Sequence, residues 1–243
     1  MISKKAKFGF KEVDATQKEP LVQGVFSSVA AKYDLMNDLM SFGLHKTWKN
    51  NLINEISPCE GDILLDVAGG TGDIAHRFLQ AGGGSAIVAD LNKEMLAAGK
   101  AKLSDSRLSW VHANAELLPF EDESFDYYTI SFGIRNVTNI DKALSEAFRV
   151  LKPMGKFLCL EFSQVNTPIL SKIYDMYSFN VIPKIGKVVA GDEDAYRYLV
   201  ESIKNFEPAP RFAKLIERAG FHNVNYTKLT FGVVAIHFGY KGV

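Results

Sequence analysis

The stretch Leu64-Leu65-Asp66-Val67-Ala68-Gly69-Gly70-Thr71-Gly72-Asp73 decides the fold. It continues a short apolar run, 63–67, into a loop of small residues, after which a helix reaches about Leu79. Strand, glycine-rich turn and helix in that order let the backbone approach a ligand closely and aim helix N–H groups at it. Gly82-Gly83-Gly84 then leads to a second strand at 86–90, and Asn92 is placed to N-cap a helix reaching about Leu103. Strands follow at 108–112 and 125–131. Between 141 and 151, apolar residues at 143, 144, 147, 148 and 151 predict a helix with one buried face. Pro153 and Gly155 end it, and 156–162 is the next strand.

Strands alternating with helices at this spacing predict a mainly parallel sheet with right-handed crossovers. A helix at 210–219, with Pro210 at its start and Gly220 past its end, precedes strands at about 223–228 and 233–240. No crossover separates those two, so they pair antiparallel. The expectation is one α/β domain over 1–243, a doubly wound, mainly parallel seven-stranded sheet with a terminal antiparallel hairpin. Upstream, 20–57 is helical, with Leu44, Trp48, Leu52 and Ile56 at i, i+4 spacing, and is expected to cover the site. Residues 1–20 are polar and expected to be flexible. Residues 165–207 are aromatic-rich and helical, and are expected to form a substrate lid.

Composition narrows the classes. Lys plus Arg (28) equals Asp plus Glu (28), so no global field steers the chain toward nucleic acid. Its two cysteines, Cys59 and Cys159, form no CxxC pair, and no metal site is expected. No apolar run approaches the ~20 residues that span a bilayer, and no apolar segment follows the basic N-terminus. A cytoplasmic protein is the expectation, with peripheral contact at an inner membrane surface left open.

Gly70-x-Gly72-x-x-Ala75 satisfies the dinucleotide fingerprint, with Asp90 about where a ribose-binding acid belongs. Against a dinucleotide stands Asp73, in the first helical turn where a pyrophosphate would lie, with a second carboxylate, Asp66, at the end of the preceding strand. An acidic, glycine-rich pocket suits S-adenosylmethionine, which has no phosphate and carries an ammonium and a sulfonium. The remaining contacts fall at successive strand ends. Asp90 would accept from the ribose hydroxyls or cap the next helix. Asn114 and Ala115 would meet the adenine edge with a side-chain amide and a backbone N–H, though taken alone that pair is better read as a turn. Ser131 sits where sulfonium and substrate meet.

Longer motifs carry a resemblance. Tyr33-Asp34-Leu35-Met36-Asn37-Asp38-Leu39-Met40-Ser41-Phe42-Gly43-Leu44-His45-Lys46-Thr47-Trp48 resembles the N-terminal signature of the quinone C-methyltransferases, the UbiE family within the class I, Rossmann-like methyltransferases. The run from Arg149 to Ser163, Ile130 to Asn136, and the closing Gly232 to His237 are also similar to that family. The departure is Met154, where many methyltransferases have Gly in a Lys-Pro-Gly-Gly turn. The resemblance implies C-methylation of a polyprenylated benzoquinol or a demethylmenaquinol in ubiquinone or menaquinone biosynthesis. It also implies cofactor contacts at Thr71, Asp90, Asn114, Ala115 and Ser131; Asp66, Gly70 and Gly72 complete the expected set. The alternative is a methyltransferase acting on another small apolar molecule. Partners would be the lipid quinol and a membrane surface touched transiently; a homodimer or a biosynthetic complex is left open.

Methylation at carbon needs an electron-rich ring, and an ordinary phenol has a pKa near ~10. The site must stabilise the phenolate or remove its proton. Arg135 is the candidate stabiliser; Asp73, His45 and Tyr33, in that order, are candidates to accept or relay the proton. Each has a competing structural role: Asp73 as a helix cap, His45 bonded to a backbone carbonyl, Tyr33 in packing, and Arg135 paired with an acid such as Glu161.

Overall fold

In the computed structural model, which describes residues 5–30, 37–38, 41–164, 183 and 192–243, the chain begins with an antiparallel pair, β1 (Lys5–Phe8) and β2 (Lys11–Asp14). Flexible chain was the expectation here. Order comes from partners that are remote in sequence: Phe8 stacks on Tyr198 at 4.3 Å between ring centroids, and the Phe10 N–H donates to Glu201 at 2.9 Å. Asp14 caps α1 (Ala15–Val29) by accepting from the Thr16 N–H at 3.0 Å. Helix α1 runs straight through Pro20, which surrenders one backbone hydrogen bond inside the helix. Its continuation is not one long helix: α2 (Leu44–Ile56) is separate.

The sheet follows. Strands β3 (Ile63–Val67), β4 (Ser85–Asp90) and β5 (Leu108–His112) alternate with α3 (Asp73–Gln80) and α4 (Lys93–Lys102). Then come β6 (Phe125–Ser131), α5 (Ile140–Val150), β7 (Leu151–Phe162), α6 (Glu193–Asn205), α7 (Ala209–Arg218), β8 (His222–Leu229) and β9 (Val234–Tyr240). The spatial order is β5-β4-β3-β6-β7-β9-β8, with the first five strands parallel and β9 antiparallel to both β7 and β8. The doubly wound seven-stranded sheet and its terminal antiparallel hairpin are as expected.

Alternation along each strand divides the core. Leu65, Val67, Tyr128, Ile130 and Phe157 face α5 and α7, while Leu64, Val88, Leu158 and Leu160 face α2 and α3. Trp48, Leu52 and Ile56, the spacing read from the sequence, form the buried face of α2. Each such side chain contributes roughly 1.5–3 kcal/mol of burial.

Strand β7 starts five residues earlier than expected, because its first residue, Leu151, pairs with Phe125 before the register shifts to Lys156 opposite Tyr127. The intervening Met154 has φ +65° and donates its N–H to the Lys241 carbonyl at 3.0 Å. Where a glycine would sit freely, methionine carries left-handed strain of roughly 1–2 kcal/mol. Among the described residues no helix is long and apolar enough to cross a membrane.

Candidate active site

The strand order reverses beside β3, and at that switch point a cleft of about 1090 Å³, counted to its open mouth, lies over the strand ends. The expected cofactor residues Asp66, Gly70, Thr71, Asp90, Asn114, Ala115 and Ser131 all line it. Gly72 supports the turn from behind: its N–H donates to the Gly69 carbonyl at 2.9 Å, its φ is +78°, and a Cβ there would come within 2.7 Å of Trp110. At Gly69 an added Cβ would meet the Asp66 carboxylate at 2.7 Å and its carbonyl at 2.9 Å, so the loop admits no side chain at that point. Ala68 occupies the left-handed region at φ +51°, with its own Cβ against Gly133.

Asp66 is fully buried. One carboxylate oxygen accepts from the Thr129 hydroxyl at 2.9 Å, and the other has no partner. Burial pushes its pKa up to about 7; the Thr129 bond opposes that rise, while nearby Asp90 adds to it. Ser131 likewise presents a buried hydroxyl without a partner. Asp90 accepts from the Gly70 N–H at 2.8 Å and the Asn92 N–H at 2.7 Å, which shapes the loop around it; burial raises its pKa against those bonds. The capping role belongs to Asn92, whose Oδ1 accepts from the Met95 N–H at 2.9 Å. Asn114 makes the turn, accepting from the Glu116 N–H at 2.8 Å, and donates to Glu19 of α1 at 3.0 Å.

Helix α1 roofs the cleft with Glu19, Val22, Gln23 and Phe26. It is tied down by Asn92, which donates to Ser27 at 2.9 Å, and by Lys18, which donates to the Val137 carbonyl at 2.8 Å. Burial lowers the Lys18 pKa to about 8, partly offset by Glu116.

Asp73, the first candidate to accept the proton, lines the cleft beside two cations. Its two oxygens accept from Lys49 and Arg77, each at 2.8 Å, and although burial alone would raise its pKa, these cations hold it below the ordinary value. A carboxylate so engaged is a weak base. Its charge is offset as well, and the other carboxylates lining the cleft are Glu19, Asp66, Asp90 and Glu116.

A second, largely apolar chamber of about 880 Å³ shares Phe26 and Phe132 with the cleft. Trp48, Phe162, Tyr196 and Tyr198 wall it, with His45 and Arg135 among its polar groups. Helix α6, within the stretch expected as a lid, supplies the two tyrosines. The remainder of that stretch, including most of 168–183, and Tyr33 lie outside the described residues. Arg135 pairs with Glu161 at 2.8 Å, both side chains buried, and also donates to the Phe132 carbonyl and to Ser202. This is the competing structural role foreseen for it. Burial raises the Glu161 pKa against the pull of Arg135.

His45 is buried, yet it does not bond a backbone carbonyl. Its Nε2 lies 2.9 Å from Asp38 Oδ1, and its Nδ1 has no partner. Burial lowers its pKa, the Asp38 bond opposes this, and Lys49 adds to the lowering; the ring is therefore neutral near pH 7. Asp38, held below the ordinary carboxylate range by Lys46 and His45, accepts, so Nε2 carries the proton and Nδ1 the lone pair. Sequence reasoning missed Lys49, Asp38 and Tyr196. Asp38 lay within the quoted motif, but nothing in one sequence tied it to His45; Tyr196 had no signal beyond being aromatic.

Comparison with known proteins bears on the family and the fold. Residues 13–241 match the model of the ubiE/COQ5 methyltransferase family. The chain is 56% identical over 243 residues to the "Ubiquinone/menaquinone biosynthesis C-methyltransferase UbiE" of Brucella anthropi, covering 96% of this chain and 92% of that one. It is 50% identical over 273 residues to the "2-methoxy-6-polyprenyl-1,4-benzoquinol methylase, mitochondrial" of Homo sapiens, covering 96% and 84%. Among solved structures, a SAM-dependent methyltransferase of Thermotoga maritima superposes with TM-score 0.64 at 18% identity, over 90% of this chain and 99% of that one. The [4+2]-cyclase SpnF superposes with TM-score 0.58 at 17% identity, over 79% of each chain, so the fold alone does not name a reaction. Sequence identity over nearly the whole length does: the chain belongs to the ubiE/COQ5 methyltransferase family.

Proposed function

We propose that this enzyme transfers the methyl group of S-adenosylmethionine to a ring carbon of a polyprenylated quinol, a 2-polyprenyl-6-methoxy-1,4-benzoquinol or a demethylmenaquinol, in ubiquinone or menaquinone biosynthesis. One observation carries the reading: an aromatic-walled chamber with a few polar groups lies beside an acidic, phosphate-averse cleft, the two sharing Phe26 and Phe132 as wall residues. When bound, S-adenosylmethionine supplies an electrophilic methyl on a positively charged sulfur.

The residues of the chain do the rest. Asp90 takes the ribose hydroxyls on its remaining lone pairs, and the unpartnered oxygen of Asp66 attracts the cationic end of the cofactor. The Ser131 hydroxyl, on the cleft wall and without a partner in the chain, is left to bond the bound cofactor. His45 Nδ1 accepts the proton of one ring hydroxyl, which makes the neighbouring carbon nucleophilic. That carbon would accept the methyl group the cofactor supplies, with S-adenosylhomocysteine as the leaving product, and would release its own proton to solvent to restore aromaticity. Arg135 is already neutralised by Glu161, so its part at the developing phenolate is that of a hydrogen-bond donor rather than a free cation. Tyr33 and Asp73 fall behind His45 as proton acceptors, Asp73 because two cations occupy it.

The polyprenyl tail requires apolar surroundings. Phe231, 82% exposed on the β8–β9 turn two residues from Val233 of the chamber wall, provides an apolar rim for transient contact with a bilayer. Phe231→Ser should weaken co-sedimentation with phosphatidylcholine vesicles, and unchanged binding would remove that contact.

Two cofactor predictions follow from the geometry. Asp90→Ala should lose hydrogen bonds worth roughly 1.5–3 kcal/mol and weaken S-adenosylmethionine about ten- to a hundredfold by calorimetry. Asp66 is protonated below its pKa of about 7, so affinity should rise as pH climbs from 6 through 7, and Asp66→Asn should flatten that slope. The whole reading is tested by incubating the protein with the cofactor and a reduced methoxybenzoquinol or demethylmenaquinol. Mass spectrometry should find one added methyl on a ring carbon; transfer to other apolar acceptors and to neither quinol would overturn it.

A further inference from the structure

Resting on the quinol reading above, we infer that the Asp38–His45 pair makes the chamber a reader of the ring's redox state, with Tyr196 holding an oxygen in either state. Among the described residues, two side chains of this chamber have buried polar atoms without any partner: His45 Nδ1 and the Tyr196 hydroxyl. Both residues are more than nine-tenths buried, 6% and 1% exposed. A buried polar atom left unpaired is costly, so such atoms mark where a ligand's polar groups belong.

The two atoms differ in what they accept. The Tyr196 hydroxyl donates or accepts, and Arg135 only donates. Either can bind a ring oxygen whether that oxygen is a hydroxyl, a phenolate or a quinone carbonyl. His45 Nδ1 has no such freedom. Asp38 is an ionised carboxylate and can only accept, which places the ring proton on Nε2 at 2.9 Å and leaves Nδ1 as an acceptor alone. A reduced ring offers it a hydroxyl proton. An oxidised ring offers only a carbonyl oxygen, so lone pair would face lone pair inside a largely apolar chamber. Discrimination of this kind, between a ligand with a required hydroxyl and one without it, is steep when the protein group is buried. The oxidised ring, which lacks the nucleophilic carbon, is thereby kept from occupying the chamber. His45 is the contact and Asp38 the positioning residue that fixes its tautomer.

The test uses 2-methoxy-6-methyl-1,4-benzoquinone and its reduced quinol, titrated anaerobically into the full chain saturated with S-adenosylhomocysteine, with quenching of protein tryptophan fluorescence as the signal. The unaltered protein should bind the quinol about ten- to a hundredfold more tightly than the quinone. Asp38→Asn can donate to Nε2 and move the proton to Nδ1, so the preference should fall to near unity while S-adenosylhomocysteine affinity holds. His45→Leu should also abolish the preference, and Tyr196→Phe should weaken both forms alike. Equal affinity for the two forms in the unaltered protein, or an Asp38→Asn variant that keeps the full preference, would overturn the inference even where the quinol is methylated. Binding of neither form, together with no methyl transfer, would instead sink the functional reading on which it rests.

Discussion

Replacing Arg135 with alanine is expected to destabilise the fold by about 3–5 kcal/mol, because the Glu161 carboxylate is left buried without its cation. For a chain of this size that corresponds to a fall in melting temperature of about 6–20 °C. The loss should depend on pH in a defined direction. Burial already raises the Glu161 pKa, and removing Arg135 raises it further. An acid with a raised folded-state pKa incurs no penalty while it is protonated in both states, and the penalty grows as pH rises above the unfolded value. Variant and unaltered protein should therefore converge in stability toward acid pH and diverge toward neutrality. Arg135→Met combined with Glu161→Leu removes both charges and should recover most of the stability. Turnover should stay low in the double variant, since the donor to the ring oxygen is still missing. Full recovery of turnover would confine Arg135 to the structural role.

The second large effect belongs to His45. His45→Ala should lower kcat by about 10²–10⁴, the contribution of a positioned general base, with S-adenosylmethionine affinity unchanged. The pH profile carries the sign. Burial holds the His45 pKa below its ordinary value, Lys49 lowers it further, and Asp38 and Asp73 pull the other way without reversing the shift. The neutral, proton-accepting form therefore persists through neutral pH. The rate should be flat there and fall only on the acid side of the ordinary histidine range. Asp73→Asn provides the contrast. It frees Lys49 and Arg77 and should cost some stability, with a smaller loss of kcat than His45→Ala. The opposite ranking would restore Asp73 as the base.

Local rules were enough for the sheet. A period of two in the strands, a period near 3.6 in α2, α5 and α7, and glycines or prolines between them are properties of neighbouring residues. The cofactor cleft was legible for the same reason: in an open α/β sheet the strand ends converge at one edge, so Asp66, Asp90, Asn114 and Ser131 come together once the strands are ordered. The N-terminal hairpin was not legible. Its polar residues 5–14 are ordered by Tyr198 and Glu201, nearly two hundred positions away, and no local pattern encodes that.

The division is sharper at the chemistry. Sequence alone determined the fold class, the family resemblance and a list of groups able to move a proton. What each of them touches belongs to the tertiary structure, and a side chain's basicity depends on what it touches. Lys49 comes from α2 to occupy Asp73, Glu161 comes from β7 to neutralise Arg135, and Asp38 engages Nε2 of His45 while Nδ1 is left without a partner. Tyr196 enters that chamber only because α6 packs against α1 and the 134–136 turn, bringing a residue with no motif of its own against the site. Burial and pairing are properties of the assembled chain, and they set the roles that residue type left open.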